Sequence, residues 1–258
     1  MDSQIKLISW NVNGLRAIEK KGFLEWLQGC SADIVAIQET KAQPDQLSET
    51  LLRPPGFVSY WHSAEKKGYS GVGTYVRMPP VGIITGLGEE RFDINGRLLI
   101  SDHGKFLLFN TYFPNGGRGP EWVEHKLEFY QMLLENAVGW VNRSRSVVIT
   151  GDFNTAYAEI DLARPKENLR TSGFLSEERE ALGKYYQAGF IDSFRLLHPD
   201  LVKYSWWDMR TRARERNLGW RLDGFLVSAD LREHVVEADI LEDVYGSDHC
   251  PVTLTLAW

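Results

Sequence analysis

The sequence predicts an α/β fold in which two mixed sheets lie face to face and carry helices on their outer surfaces. Apolar, strand-like runs alternate along the chain with segments of helical periodicity, as expected when helices cover sheets. Several strands also alternate apolar with polar residues. Such alternation is typical of antiparallel pairing, which a simple doubly wound parallel sheet would lack.

Five apolar runs rich in β-branched residues predict strands. They are Ile5 to Trp10, Ala32 to Ile37, Leu107 to Thr111, Val147 to Thr150 and Val252 to Leu256. Alternation around Tyr75, from Leu98 to Leu108 and in the last of these runs indicates antiparallel neighbours. The mixture of both kinds of strand favours two mixed sheets.

Three segments with apolar residues at helical spacing predict the covering helices. The first runs from Arg16 to Leu27 and the second from Glu121 to Asn142. The third begins at Ser176, which suits an N-cap because acidic residues follow it, and it ends at Gly189. These helices lie between predicted strands along the chain.

Length and composition favour one domain covering residues 1–258. Two-layer α/β folds often reach this size as one unit, and no low-complexity or Pro/Ser-rich linker divides the chain. Hydrophobic content of 43% and charged content of 25% are ordinary for a globular protein. The sequence shows no signal peptide and no apolar run long enough to span a bilayer. We therefore expect an intracellular monomer with no membrane partner, cytoplasmic and nucleoid-associated in a prokaryote.

The two cysteines exclude a disulfide framework. Cys30 and Cys250 stand far apart and neither belongs to a Cys-x-x-Cys pair, which argues against zinc. We interpret both as small buried hydrophobic residues.

The net charge of −6 argues at first against a polyanionic partner, but the positive charges are grouped. Four arginines between Arg210 and Arg216 follow Trp206-Trp207, and the pairs Lys20-Lys21 and Lys66-Lys67 add positive charge. Basic residues beside aromatic ones often hold a phosphate backbone, although a lone arginine run is more often a solvated loop. A basic rim around an acidic catalytic centre would reconcile both facts.

Polar side chains border the predicted strands, and this pattern carries the functional argument. Asp152 and Asn154 follow the strand that ends near Thr150, and the period of two places them on the same side. An ordinary turn would explain this segment alone. Similar polar groups recur beside the other strands, and the full set is Asn11, Glu39, Tyr112, Asp152, Asn154, Asp248 and His249. If they converge on one cleft, their charge would need a hard divalent cation to offset it.

Seven motifs occur in the order found in exonuclease III-like apurinic/apyrimidinic endonucleases, and the chain resembles that family over essentially its whole length. They are Asn11-Val-Asn-Gly-Leu-Arg16, Gln38-Glu39-Thr-Lys41, Tyr69-Ser-Gly71-Val, Asn110-Thr-Tyr112-Phe-Pro-Asn115, Gly151-Asp152-Phe-Asn154-Thr, Gly219-Trp220-Arg-Leu-Asp223 and Gly246-Ser-Asp248-His249. The resemblance implies a four-layer α/β/β/α sandwich whose mixed sheets are largely antiparallel. It also implies Mg²⁺-dependent cleavage of duplex DNA 5′ to an abasic site, with Mn²⁺ as a substitute metal.

The resemblance assigns catalytic roles to particular residues. Glu39 matches the main metal-binding carboxylate, with Asn11 and Asp248 as direct or water-mediated ligands. In the same register Asp152 orients or deprotonates the attacking water, and Asn154 holds that water and a phosphate oxygen.

The remaining catalytic positions serve the phosphate. His249, paired with Asp223, would donate to non-bridging phosphate oxygens. Tyr112 would contact the phosphate or help to activate the nucleophile, and the sequence leaves both roles open.

The same register assigns residues that handle DNA. The backbone- and groove-contacting positions are Arg16, Lys21, Tyr69, Asn115, Arg118 and Asn168, with Arg118 in the major groove. Trp206, Trp220 and Leu222 match the pocket for the extruded sugar, and Arg210 would fill the gap left in the helix. Packing in the core is the alternative for both tryptophans. Relatives of this kind frequently have 3′–5′ exonuclease and 3′-phosphatase activities, and a small base such as that of deoxyuridine is a further candidate for the pocket.

The sequence departs from the family pattern at two positions. Gly224 stands where a larger residue commonly follows the aspartate, which puts the packing behind Asp223 in question. Thr171 replaces an amide found in some members, so one phosphate contact is altered.

Two other classes of function remain as alternatives. Phosphoesterases of the same superfamily that act on other phosphoesters share the Glu, Asp-x-Asn and Ser-Asp-His elements, but not the Gly-Trp-Arg-Leu-Asp and Leu-Ala-Arg-Pro stretches present here. A nucleic-acid-binding regulator on the same fold would have lost catalytic residues, whereas this chain has all of them. Both comparisons favour the nuclease.

Overall fold

The computed structural model describes residues 4–258, which form twelve strands and seven α-helices joined by short 3₁₀ turns. The strands are Gln4–Asn11 (β1), Ile34–Gln38 (β2), Val58–His62 (β3), Val72–Val76 (β4), Gly82–Thr85 (β5), Leu98–Asp102 (β6), Leu107–Tyr112 (β7), Val147–Asp152 (β8), Ile191–Asp192 (β9), Asp223–Val227 (β10), Val235–Ile240 (β11) and Val252–Ala257 (β12). The helices are Leu15–Glu19 (α1), Phe23–Gly29 (α2), Glu49–Leu52 (α3), Glu90–Asp93 (α4), Pro120–Val141 (α5), Ser176–Gln187 (α6) and Ser193–Leu197 (α7).

The strands form two six-stranded mixed sheets with matching patterns of direction. The first has the order β11-β12-β1-β2-β4-β3 and the second the order β5-β6-β7-β8-β10-β9. Each contains one parallel pair at its centre, β1 with β2 and β7 with β8, while the other neighbours are antiparallel. The predicted mixture of parallel and antiparallel strands is confirmed.

Three apolar cores produce four layers. The central core joins the inner faces of both sheets, where Leu7 and Val148 belong to one cluster. A second core packs the outer face of one sheet against α5 and α6, and a third packs the other sheet against α1 and α2. The predicted α/β/β/α sandwich is therefore confirmed.

The alternation of side chains along the strands brings polar groups to one edge of the space between the sheets. Leu7 of β1 faces the central core, so Asn11, four residues later, points into the same space. Val148 and Asp152 of β8 are related in the same way. The same rule applies to Gln38 of β2, Tyr112 of β7 and Asp223 of β10. Because side chains alternate along each strand, stacking the two sheets places these polar residues in one common space.

Strand β8 extends two residues beyond its predicted end. We expected Asp152 just past the strand, but it pairs with Asp223 of β10 and Tyr112 of β7. Gly151 permits this extension because a Cβ there would meet the Thr111 carbonyl oxygen at 1.8 Å. The Asp152 carboxylate therefore stands on a paired strand rather than on a free turn.

The first predicted helix is wrong in one respect, because it is divided into α1 and α2. Gly22 adopts φ 91°, in the left-handed region, and the chain turns there before α2 begins at Phe23. The apolar residues Ile18 and Phe23 both reach the outer core despite the break. Periodicity predicted the buried face correctly and missed the turn.

The other two helices form close to the predicted positions. Helix α5 starts at Pro120, a residue that suits the first turn because it lacks an N–H. In α6, Ser176 is the first helical residue rather than the cap, and the buried Glu178 side chain accepts the Leu175 N–H at 3.1 Å instead. Gly189 follows the end of α6 with φ 95°.

The cysteines differ in burial. Cys250 is fully buried, as predicted, whereas Cys30 is only partly buried and its thiol donates to the Leu27 carbonyl at 3.1 Å. Within residues 4–258, none of the helices is long and apolar enough to cross a membrane.

Candidate active site

The polar strand ends converge on one cleft of about 270 Å³ at the edge of the two sheets. Ten of the predicted site residues line it: Glu39, Tyr112, Asn115, Asp152, Asn154, Trp206, Trp220, Leu222, Asp248 and His249. Asn11 and Asp223 are buried directly behind this wall, and hydrogen bonds connect both to lining residues. The structure therefore brings these predicted residues together in one cleft.

Asn11 connects the two principal carboxylates. Its amide nitrogen donates to Glu39 Oε1 and to Asp152 Oδ2, both at 2.9 Å. Its amide oxygen accepts the Asn13 backbone N–H at 3.0 Å. The donor end of Asn11 therefore faces the carboxylates, and in this arrangement Asn11 orients Glu39 and Asp152 without offering an oxygen to a metal.

The turn after β8 holds Asn154 in a left-handed conformation, with φ 51°. The Asp152 carboxylate stabilises that turn by accepting the Asn154 backbone N–H at 2.8 Å. The Asn154 amide donates to the Phe113 carbonyl at 2.9 Å and accepts from Asn115 at 2.9 Å. A non-glycine residue in this conformation is strained, and such strain is concentrated at functional sites.

His249 is held by the buried Asp223 carboxylate, which Ser205 in turn supports. Its Nδ1 donates to Asp223 Oδ2 at 2.8 Å, and Ser205 Oγ donates to the same oxygen at 2.7 Å. The Ser205 hydroxyl also accepts the backbone N–H of Asp223 at 3.0 Å. The other ring nitrogen, Nε2, is left to face the cleft, 3.8 Å from Asp152 Oδ2.

Asp248 is tied to the rim of the cleft by donors from two separate loops. Asn13 donates to its Oδ1 at 2.8 Å, and the Trp206 indole N–H donates to its Oδ2 at 3.1 Å. The Asp248 pKa is lowered, because the nearby His249 and these donors outweigh the effect of burial. Asp248 therefore links the acidic centre to the tryptophan wall.

Burial and neighbouring charge set the protonation of Asp152 and His249. Desolvation raises the pKa of Asp152, and the Asp223 and Glu39 carboxylates raise it further against the opposing effect of His249. Burial alone would lower the pKa of His249, but the surrounding carboxylates, chiefly Asp223, outweigh it and raise the pKa. The pair thus combines a carboxylate of increased basicity with an imidazole that keeps its proton.

The pKa of Glu39 is shifted in the direction opposite to that of Asp152. Burial opposes its ionisation, but the Lys41 ammonium, 2.7 Å from Oε2, and the Asn11 amide hold its pKa below the usual range. Glu39 has φ 52°, so its backbone is strained like that of Asn154. An ionised carboxylate held rigidly at the mouth of the cleft suits a cation ligand.

Tyr112 is a neutral phenol in this environment. Burial raises its pKa well above the ordinary value, and the Glu39 carboxylate adds to the shift. The Arg97 guanidinium lies 4.8 Å from its ring centroid and opposes the shift incompletely. The Tyr112 phenol therefore keeps its proton and lines the cleft as a hydrogen-bond donor.

The residues suited to a metal form one compact group. Ligand atoms of Glu39, Asp152 and His249 lie within 4.8 Å of one another. Carboxylate oxygens fit a hard cation such as Mg²⁺, whereas a protonated imidazole cannot be a ligand. The predicted metal set shares Glu39 with this group, and Asp248 lines the same cleft.

An apolar wall completes the cleft. A small cluster comprises Ala156, Leu162, Phe174 and Leu222, with Trp206 and Trp220 packed against it. The two indoles meet edge to face with centroids 6.3 Å apart, and both are only partly buried. Each tryptophan therefore packs in the core on one side only, because its other side lines the cleft.

The two departures from the family pattern have different consequences. A Cβ at Gly224 would meet only the Arg221 guanidinium, at 3.8 Å, and a small cavity of about 20 Å³ lies between Asp223 and Tyr186. Asp223 nevertheless keeps its contacts with His249 and Ser205. Thr171 lines the cleft beside Ser172 and Gly173.

The remaining predicted DNA-binding residues lie outside the central cleft. Arg16 borders a broad depression with Lys20 and Lys41, and the Lys21 ammonium donates to the Gly246 carbonyl at 2.7 Å. Tyr69 and Arg118 share a groove of about 480 Å³ whose rim also carries Lys66, Arg91 and Arg97. Arg210 is exposed on a loop, whereas Asn168 is partly buried and its amide donates to the Arg164 carbonyl at 3.0 Å.

The arginine run is only partly a binding surface. The Arg214 guanidinium packs over Trp207 at 4.5 Å and over Tyr245 at 4.0 Å, and it donates to the Val244 carbonyl at 2.8 Å. Arg210, at the exposed end of the run, lies near Trp206 in sequence. The tertiary structure thus divides one basic motif between packing and the surface.

Sequence reasoning missed Ser205, which holds the Asp223 carboxylate and two backbone N–H groups at once. Nothing in its local sequence identifies it, because serine occurs commonly before a strand or turn. Lys41 and Asn13 stood in the quoted motifs, and their contacts with Glu39 and Asp248 give them a part in the site.

The two facing sheets and the buried carboxylate–imidazole centre at their edge define a hydrolase of phosphate esters. The chain matches the model of the Endonuclease/Exonuclease/phosphatase family over residues 8–249. It belongs to this family and is a hydrolytic nuclease of the kind that acts in DNA repair. The resemblance seen in the motifs is thereby confirmed.

Individual relatives extend the comparison over the full chain. An exodeoxyribonuclease of Bacillus subtilis is 43% identical over 254 residues, which cover 98% of this chain and 99% of the relative. The DNA repair nuclease APEX1 of Danio rerio is 37% identical over 99% of this chain and 83% of its own length. The structure of an AP endonuclease from Archaeoglobus fulgidus has a TM-score of 0.89 at 28% identity and covers 98% of this chain and 99% of that one.

Proposed function

We propose that this protein is a Mg²⁺-dependent endonuclease that hydrolyses the phosphodiester bond 5′ to abasic sites in duplex DNA. The observation that carries the proposal is the meeting of a carboxylate–imidazole centre and an apolar wall in one cleft. The centre suits phosphodiester hydrolysis, and the wall suits a deoxyribose without its base. Relatives named as AP endonucleases and as a DNA repair nuclease support the same substrate.

Hydrolysis would begin with Asp152. Its pKa is raised by burial, so the carboxylate accepts a proton from a water molecule more readily than an ordinary aspartate would. The Asn154 side chain stands beside it, 3.2 Å from Asp152 Oδ2, where it can hold the same water. The water oxygen then attacks phosphorus while the bond to the leaving oxygen breaks.

The developing negative charge would be met by His249. Asp223 fixes the proton on Nδ1 and leaves Nε2–H to donate to a non-bridging phosphate oxygen. The neutral Tyr112 hydroxyl is a second donor on the same cleft. These groups are already held by hydrogen bonds, so little reorganisation accompanies the reaction.

Glu39 would hold the divalent metal, with Asp248 on the same cleft as a direct or water-mediated ligand and water completing the coordination. When bound, the metal supplies positive charge to the phosphate and to the leaving oxygen. Mn²⁺ has similar ligand preferences and would substitute.

Substrate selection would depend on extrusion of the damaged nucleotide. Moving a nucleotide out of the stack costs a few kcal/mol, and least where no base is paired. The cleft of about 270 Å³ between Trp206, Trp220 and Leu222 offers an apolar surface to the sugar. Arg16, Tyr69, Arg118, Asn168 and Arg210 would hold the flanking duplex.

The same centre would serve related reactions at DNA ends. We include 3′–5′ exonuclease and 3′-phosphatase activity in the proposal, because a structural relative is a 3′–5′ exonuclease from Neisseria meningitidis with a TM-score of 0.91. We also propose that the protein acts as a monomer. Whether deoxyuridine is also cleaved depends on the room beside Trp206.

The direct test uses a labelled duplex that contains one tetrahydrofuran abasic analogue. We expect incision immediately 5′ to the analogue with Mg²⁺ and none with EDTA, while an undamaged duplex stays intact. Equal cleavage of both duplexes would contradict the proposed selectivity. Binding of the abasic duplex without incision would favour a regulator instead.

Glu39→Gln should weaken metal binding and should be partly rescued by raised Mg²⁺ or Mn²⁺. The amide keeps the shape of the side chain but loses the charge that attracts the cation, and mass action offsets weaker binding. The measurement is initial cleavage rate against metal concentration. Glu237→Gln, on β11 at the far edge of its sheet, is the matched control and should leave the metal dependence unchanged. Residual Glu39→Gln activity independent of metal would argue against ligation.

Trp206→Ala should reduce the preference for abasic over undamaged duplex. Its indole lines the cleft and donates to Asp248, so its loss opens the wall that excludes intact nucleotides. The measurement is single-turnover cleavage of abasic, deoxyuridine-containing and undamaged duplexes. Arg210→Ala, on the exposed loop, should instead change affinity or product release. Unchanged rate ratios in Trp206→Ala would show that this tryptophan serves packing.

A further inference from the structure

The long outer helix α5 sends two buried side chains to the turn that carries the catalytic carboxylate. The Lys126 ammonium donates to the Asn154 carbonyl at 2.7 Å, and the Tyr130 hydroxyl donates to the Phe153 carbonyl at 2.6 Å. Lys126 and Tyr130 are four residues apart and so lie on one face of the helix. They therefore fix two consecutive carbonyls immediately after Asp152.

Lys126 also forms an ion pair deep in the protein. Its ammonium lies 2.7 Å from Glu178 Oε1, and both side chains are completely buried. Desolvation of two charges is costly, and a buried pair is often no more stabilising than apolar side chains of the same size. Stability alone is therefore a weak explanation for this pair.

Glu178 extends the connection to the opposite wall of the cleft. Its carboxylate accepts from Ser172 Oγ at 2.7 Å and from the Gly173 backbone N–H. Ser172 and Gly173 line the cleft, and the Gly173 carbonyl accepts the Ala156 N–H at 2.8 Å. One ion pair thus connects the Asp152 turn with the 171–173 segment.

Gly173 packs closely against Asn154 and Trp220 where the two segments meet. Gly173 has φ 99°, and a Cβ there would come within 3.2 Å of both the Asn154 carbonyl oxygen and the Trp220 ring. Asn154 itself is held in the left-handed region. Two closely packed segments therefore meet where the Lys126–Glu178 pair connects them, and small movements there would displace Asn154 relative to the phosphate.

We propose that Lys126 and Glu178 are positioning residues that set the catalytic turn against the substrate wall. This inference rests on the proposed nuclease function and goes beyond it by placing a determinant of rate on the outer helices α5 and α6. Neither side chain would touch the substrate. They would act through the Asn154 carbonyl and the Gly173 N–H, and so through the placement of Asp152 and Asn154.

The test is the double variant Lys126→Met with Glu178→Gln. It removes both charges, so no unpaired buried charge remains, and the glutamine keeps a carbonyl oxygen for the Gly173 N–H. We expect a folded protein whose kcat on the abasic duplex falls by about 10- to 100-fold, because misplacement by about 1 Å costs about that much. The KM should stay within a few-fold, since the DNA-contacting residues are unchanged.

Two further variants separate positioning from folding. Lys126→Arg keeps a buried cation and donor, and it should retain more activity than Lys126→Met at equal folded fraction. Asp102→Asn with Arg145→Met breaks an ion pair of 2.7 Å on β6, away from the cleft, and should leave kcat unchanged. Thermal unfolding reports the folded fraction of each variant.

The results of these experiments test the positioning role separately from the proposed function. A folded double variant with wild-type kcat would overturn the positioning role, and so would a loss of rate that matches the unfolded fraction. A wild-type protein that fails to incise the abasic duplex would instead refute the proposed function itself.

Discussion

Asp152→Asn should bind abasic duplex DNA normally and lose cleavage by about 10²- to 10⁴-fold, the range that a general base contributes. The substitution preserves size, and the amide oxygen can still accept the Asn154 N–H that fixes the turn. It removes the only charge at this position, so the attacking water loses its proton acceptor. Single-turnover incision and a separate binding titration measure the two effects.

The pH dependence of kcat gives an independent check of the same role. Because burial raises the Asp152 pKa, the carboxylate is protonated at pH values where an ordinary aspartate is ionised. Wild-type kcat should therefore rise with pH until Asp152 is ionised, and the residual activity of Asp152→Asn should lack that limb. A variant that cleaves within a few-fold of wild type would remove Asp152 from the mechanism.

His249→Gln should reduce kcat by about 10²- to 10³-fold, as the loss of one donor to a developing oxyanion does. Glutamine can still donate to Asp223, but it carries no positive charge toward the phosphate. The surrounding carboxylates keep the wild-type imidazole protonated, so the lost group is a charged donor rather than a neutral one. The expected change lies in kcat with little change in duplex affinity.

His198→Gln is the matched control for that experiment. The His198 ring bonds to the Ala238 carbonyl of β11 at 3.0 Å and lies outside the cleft. We expect its kcat to equal that of wild type. If both histidine variants lost activity equally, the effect of His249→Gln would reflect folding rather than transition-state stabilisation.

The functional strands could be predicted because their signal is local. A run such as Val147 to Thr150 is apolar and β-branched, and the period of two assigns the face of every residue that follows it. The same reasoning placed Asp152 and Asn154 on one side, whereas their convergence with Asn11 depended on how the sheets stack. Helix boundaries were less accurate, because the turn at Gly22 depends on a backbone conformation that apolar periodicity does not report.

The sequence by itself determined the fold class, the residue types of the candidate site and, through seven ordered motifs, the resemblance to a nuclease family. Those features depend on the local spacing of residues and on their chemistry. Only the tertiary structure decided how the groups act on one another. Ser205 and Lys126 are ordinary residues in sequence, and only folding brings them against Asp223 and Asn154, with Glu178 paired to Lys126. Protonation is likewise a tertiary property, since desolvation and neighbouring charge, which no local pattern contains, give Asp152 and Glu39 opposite pKa shifts.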